Sequence, residues 1–136
     1  MKFMIQMAGV LQILLAVLHV PIAIKLKWRE DLKNTSPLTR QIFWVHSYFI
    51  VLVLLLVGIP CAAWPGMFFN KSQLGLTVAL GLTIFWGCRL FTQFFVYSPE
   101  HYRGKKLETT VHWIVSALWI YLTATYGLLT FWQILA

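Results

Sequence analysis

Apolar residues fall into four long stretches, at about 3–24, 37–64, 73–97 and 108–134, and most of the charged residues lie between them. A helix needs about 20 apolar residues to cross the hydrocarbon core of a bilayer, and each stretch is at least that long. None shows the period-two alternation of a barrel strand. The pattern therefore predicts an all-α protein, a four-helix transmembrane bundle with antiparallel up-down-up-down topology. The first stretch exceeds the ~7–15-residue core of a signal peptide and ends in no small-x-small cleavage site, so it is expected to be a retained helix. Ser36-Pro37 supplies an N-cap followed by proline at the first helical position, the best-marked start in the chain. The second stretch ends near Trp64-Pro65-Gly66, Asn70-Lys71-Ser72 opens the third, and Ser98-Pro99 stops it, because proline disfavours helix in the residue before it.

Composition sharpens this reading. The 136 residues are 60% hydrophobic and 11% charged, with a mean hydropathy of +0.74. Soluble chains carry about 25% charged residues, so this one is expected to form a single integral membrane domain in contact with the lipid bilayer. The formal net charge of +7 suits orientation and anionic headgroups better than nucleic acid, because the basic residues cluster in two short loops. One loop holds Lys25, Lys27, Arg29, Lys33 and Arg40 and another Arg103, Lys105 and Lys106, against Lys2 and Lys71 on the opposite side. That imbalance predicts cytoplasmic loops and both termini outside. Trp28, Trp64 and Trp132 sit where interfacial anchors belong, and several glycines within the spans would let helices approach closely. Cys61 and Cys88 form neither a CxxC pair nor a disulfide framework.

Polar residues inside lipid are costly, so they carry the functional signal. His19 lies six residues before Lys25, His46 six after Arg40 and His112 six after Lys106. Each is thus roughly 9 Å from its flanking charge along the helix axis. Gln93, seven residues before Glu100, falls at about the same depth, so all four helices contribute to one layer if all four residues face the bundle axis. Gln12 and His19 share a face of the first helix, while Trp86, Arg89, Gln93 and Tyr97 recur at helical spacing on the third. Imidazole is the commonest neutral metal ligand: two facing histidines can hold a haem iron, and three can make a non-haem site. The competing reading of each histidine is a hydrogen bond to a neighbouring carbonyl or water. Arg89 is the only charge deep inside a span, where it costs roughly 2.5–3.5 kcal/mol, and no Asp or Glu lies in the spans beyond Glu108 at the very start of the fourth. A haem propionate, a quinone carbonyl, another anionic ligand, a lipid headgroup, an acid on another subunit, or backbone carbonyls together with Gln93 could face it. Tyr97, Tyr48 and Trp44 near the same layer could stack on a ring or serve headgroups. Phosphate-cradling loops, GxSxG, HExxH and paired carboxylates are absent, which excludes nucleotide hydrolysis, serine chemistry and zinc proteolysis.

The runs Ser36-Pro37-Leu38-Thr39-Arg40-Gln41-Ile42-Phe43-Trp44-Val45-His46 and Arg89-Leu90-Phe91-Thr92-Gln93-Phe94-Phe95-Val96-Tyr97 resemble stretches of small four-span bacterial membrane proteins with no assigned function. The resemblance covers about a third of the chain and implies a bacterial inner-membrane protein, with no activity attached. The residues themselves lead to an expected electron-transfer protein, quinone-linked, holding haem b or another metal (non-haem iron, copper or zinc). His46 and His112 are the preferred ligands and His19 a third ligand or hydrogen-bond partner, while Arg89, Gln93 and Tyr97 orient a propionate or an oxygen-bearing ligand. The competing expectation has no cofactor: a non-catalytic subunit or assembly factor whose polar layer pairs with a partner membrane subunit or a second copy.

Overall fold

The computed structural model describes residues 1–25, 27–95, 104 and 106–135, the Glu108 side chain excepted. The helices are α1 (Lys2–Lys25), α2 (Trp28–Asp31), α3 (Pro37–Ala63), a 3-10 turn (Pro65–Phe69), α4 (Gln73–Phe95) and α5 (Lys106–Leu135). The fold is all-α, with no strand among the described residues. Four helices are long and apolar enough to cross a membrane: Lys2–Lys25, Pro37–Ala63, Gln73–Phe95 and Thr109–Leu135. The expected end of the third span, with Tyr97 and Ser98-Pro99, lies outside the described residues. Contacts group the chain into two compact units, one of Gln6–Pro65 and one of Gly66–Ala136 with Met1–Ile5.

In the Gln6–Pro65 unit, α3 begins as the capping residues dictate. Ser36 is extended (φ −60°, ψ 150°), its Oγ accepts the Thr39 N–H at 3.2 Å, and Pro37 fills the first helical position. Residues on α1 and α3 then meet in opposite order. Gln6 Nε2 donates to the Ala62 carbonyl at 3.2 Å, and Gly9 lies against Gly58, Cys61 and Ala62. A Cβ on Gly9 would stand 2.6 Å from the Gly58 carbonyl oxygen and 2.8 Å from the Cys61 carbonyl carbon, so only glycine permits this approach. In lipid, where apolar side chains gain little by leaving the lipid tails for one another, such backbone contact is a principal source of helix association. The connector contains a feature the apolar pattern did not predict, the single turn α2. Lys27, with φ 56° and ψ 42° in the left-handed region, turns the chain out of α1 and into it. Trp28 then packs edge-on against Phe43 of α3 at 5.3 Å, and Arg40 donates to the Lys33 and Thr35 carbonyls, each at 3.4 Å, which ties the loop to the start of α3.

In the other unit, contacts between α4 and α5 also run in opposite order: Gly75 is near Gln133, Thr83 near Thr130, Gly87 near Thr123 and Gln93 near His112. The inner face of α5 carries a polar or aromatic group at almost every turn, through His112, Ser116, Trp119, Thr123, Tyr126, Thr130 and Gln133, spaced alternately four and three residues apart. Of these, only Thr123 is as much as half-exposed. The lower end is closed by Gln133 Nε2, which donates to the Phe68 carbonyl at 2.9 Å and the Asn70 carbonyl at 3.3 Å, with Lys71 Nζ 4.5 Å from the Trp132 ring centroid. Most of these hydroxyl and amide groups spend their hydrogens on carbonyls or on one another, as a low-dielectric interior demands.

Candidate functional site

Beyond the reach of the Gly9–Gly58 contact, α1 and α3 carry larger side chains and, together with α2, line an open cavity of about 450 Å³. This lies within the ~300–1,000 Å³ of small-molecule sites. Trp44, Ser47, Tyr48 and Val51 recur at three- and four-residue spacing and present one face of α3; His19, Val20, Ala23 and Ile24 come from α1, and Trp28 and Arg29 from α2. The Phe43 contact holds Trp28 in place as a wall. His19 Nδ1 lies 2.9 Å from the Leu15 carbonyl oxygen. Because a carbonyl only accepts, Nδ1 carries the hydrogen, and in the neutral ring Nε2 presents a lone pair. Ser47 donates its hydroxyl hydrogen to the Phe43 carbonyl at 2.9 Å, so its oxygen too has only lone pairs to offer.

The second constellation is a buried relay in the α4–α5 unit. Trp119 Nε1 donates to Gln93 Oε1 at 3.2 Å, and Gln93 Nε2 donates to His112 Nδ1 at 2.8 Å. An indole nitrogen can only donate, so Trp119 fixes the Gln93 amide, and the amide fixes the imidazole with its hydrogen on Nε2 in the neutral ring. Trp119 is 4% exposed and His112 5%, so neither end of the relay can turn to water instead. Trp86 stacks on Trp119 with ring centroids 5.3 Å apart, and the half-buried Arg89 guanidinium stands 5.1 Å from the Trp119 centroid. The cation over this indole gives the deep charge of α4 one favourable aromatic contact.

The expected site residues thus divide. Gln93 and His112 are brought together as hydrogen-bond partners, and the Arg89 guanidinium stands over Trp119 of the same relay. His19 lines the cavity. His46 is exposed and lies off the cavity-lining face of α3, although its Nδ1, 2.8 Å from the Ile42 carbonyl, is held as in His19. Tyr97 is outside the described residues. No group of three or more His, Cys, Asp or Glu side chains placed to hold a metal is present among the described residues. Neither helix unit alone offers two facing histidines among those residues: His46 does not share the His19 cavity, and His112 is the one described histidine of its unit, with Nδ1 already accepting from Gln93.

Four apolar helices of spanning length with polar groups turned inward define the class: a multi-pass, all-α membrane protein. Comparison narrows it no further, since no protein-family model, no curated protein and no solved structure matches the chain. Its function is therefore argued from its own geometry. Trp28, Ser47 and Trp119 do work that their sequence positions alone did not suggest. For Ser47 the signal was its place in the series Trp44, Ser47, Tyr48, Val51; for Trp119 it was the seven-residue step from His112.

Proposed function

We propose that this chain binds an amphipathic, ring-bearing membrane ligand of the quinone class in the cavity formed by α1, α2 and α3. The cavity itself carries the reading: about 450 Å³, walled by Trp28, Trp44 and Tyr48 on aromatic sides and by Val20, Ala23, Ile24 and Val51 on aliphatic ones, with His19, Ser47 and Arg29 as its polar points. Flat aromatic walls suit a ring, and a few polar groups in an apolar lining fix its orientation. In this reading the loop containing α2 faces the cytoplasm of a bacterial inner membrane, both termini lie outside, and the cavity opens at the level of the headgroups. The test uses the detergent-purified chain and a short-chain benzoquinone, with quenching of tryptophan fluorescence as readout. Ala23→Phe, which fills the cavity, should weaken saturable binding at least tenfold without loss of helical circular dichroism. Unchanged binding in this variant, or no saturable binding to the parent chain, contradicts the proposal.

One observation favours a second reading, in which a metal such as haem b serves electron transfer. His19 and His46 each hold Nδ1–H on a backbone carbonyl and leave Nε2 as a lone-pair donor, the usual preparation of a metal-ligating imidazole. Its test is the absorption spectrum and metal content of protein purified from cells supplied with iron and haem. A colourless, metal-free preparation that also fails to bind quinone would favour a role as subunit or assembly factor instead.

A further inference from the structure

Two polar groups of the cavity, His19 and Ser47, share a chemical property that decides which oxidation state of a ring ligand fits best. They lie on α1 and α3, and both line the cavity. The His19 ring has committed Nδ1–H to the Leu15 carbonyl at 2.9 Å, and Ser47 has committed its only hydroxyl hydrogen to the Phe43 carbonyl at 2.9 Å. Both therefore face a ligand as hydrogen-bond acceptors. A quinone carbonyl brought to this end of the cavity would set lone pairs against lone pairs, leaving desolvated acceptors without donors. A hydroxyl would donate to either one.

An ammonium group would also donate, but no Asp or Glu is among the cavity-lining residues, Arg29 is, and the chain carries a net charge of +7, all of which disfavour a cation. An anionic headgroup would suit Arg29 yet meet the same lone pairs at His19 and Ser47. A neutral ring bearing a hydroxyl suits this lining: its hydroxyl donates at His19 or Ser47, its face stacks among Trp28, Trp44 and Tyr48, and Arg29 can donate to another of its oxygens.

Resting on the quinone-class reading above, we infer that the cavity is selective for the reduced, hydroxyl-bearing form, a hydroquinone or substituted phenol, over the corresponding quinone. His19 is the residue that reads the hydroxyl, and Ser47 supports it.

The experiment compares trimethylhydroquinone, kept reduced under anaerobic conditions, with trimethylquinone, each titrated calorimetrically into the full-length chain in detergent. The hydroquinone is expected to bind about tenfold more tightly, the ratio expected for one net hydrogen bond. His19→Phe keeps a flat ring but removes the acceptor. It should abolish the preference for the hydroquinone, bringing the ratio of the two affinities to about one. His19→Gln, whose amide both donates and accepts, should also bring the ratio towards one, and helical circular dichroism of both variants confirms that they are folded. Equal or tighter binding of the quinone by the parent chain overturns the selectivity and leaves the quinone-class site standing; an unchanged ratio in His19→Phe overturns the assignment of the hydroxyl to His19. Failure of both ligands to bind overturns the selectivity and the site together.

Discussion

Where α1 passes α3, the backbones of Gly9 and Gly58 lie against each other with no side chain between them; where α4 passes α5, Trp86, Trp119, Gln93 and His112 fill the space and bond across it. The first pair is joined by shape and the second by a polar and aromatic seam. A contact made of glycines is close but short, and beyond it the larger residues at 19–24 and 44–51 leave a cavity. A seam that places a side chain at each turn, as α5 does from His112 to Gln133, leaves its groups occupied with one another. The pair with less side-chain matter at its contact is thus the one with room for a ligand. The pair with more chemically suggestive residues uses them to hold itself together.

Substituting the glycines would test this difference most severely. Gly9→Leu drives a side chain into the backbone of Gly58 to Ala62, and should destabilise the protein by about 2–3 kcal/mol in an SDS-titration unfolding assay, the upper range for overpacking. A loss below 0.5 kcal/mol, on the order of an ordinary surface change, would show that the α1–α3 approach is looser than described. Gln93→Leu comes next. It strands the Trp119 N–H and the His112 Nδ1 in a buried seam, and should cost about 1–2 kcal/mol by the same assay, membrane hydrogen bonds being worth somewhat less than their counterparts in water. Restoring an amide with Gln93→Asn should recover little, because the shorter side chain cannot span both partners.

Smaller effects sharpen the contrast. Arg89→Gln removes the cation over Trp119, a contact worth about 0.5–1 kcal/mol, and stability in the same assay should fall by at least part of that amount. Gly127→Ala should be the mildest. Its new Cβ would meet Thr83 Cγ2 at 3.9 Å, an ordinary contact, and the alanine should stabilise helix α5 by about 0.5 kcal/mol in thermal unfolding. Glycine is thus required at the Gly9 contact between backbones and dispensable at Gly127.

The four long helices were legible because each apolar stretch is long enough to span a bilayer, and Ser36-Pro37 marked the start of α3 through its own chemistry. The turn α2 was not legible: it has four residues in a charged loop, and its place depends on Trp28 meeting Phe43 across a tertiary contact. Depth and direction separated in the same way among the histidines. Counting from flanking charges places residues along a helix axis, and Gln93 and His112 do meet. It says nothing about the face, and at about 100° per residue His46 falls away from the surface that Ser47 and Tyr48 present to the cavity. The alternation of four and three residues from His112 to Gln133 is present in the sequence and identifies the seam of α5 directly. Depth alone drew attention to the histidines, whereas the seam is carried by residues of seven positions, most of them not ionisable.

Photolabelling tests the central claim, that the ligand site lies in the α1–α3 unit, most directly. A photoactivatable short-chain quinone analogue would be irradiated with the full chain in detergent and the adduct mapped by mass spectrometry. The account predicts labels on α1 at 19–24, on α2 at Trp28 or Arg29, and on α3 at 44–51, all displaced by excess unlabelled ligand. Displaceable labels concentrated on α4 and α5 around Arg89, Gln93 and His112 would contradict it and return the site to the buried seam.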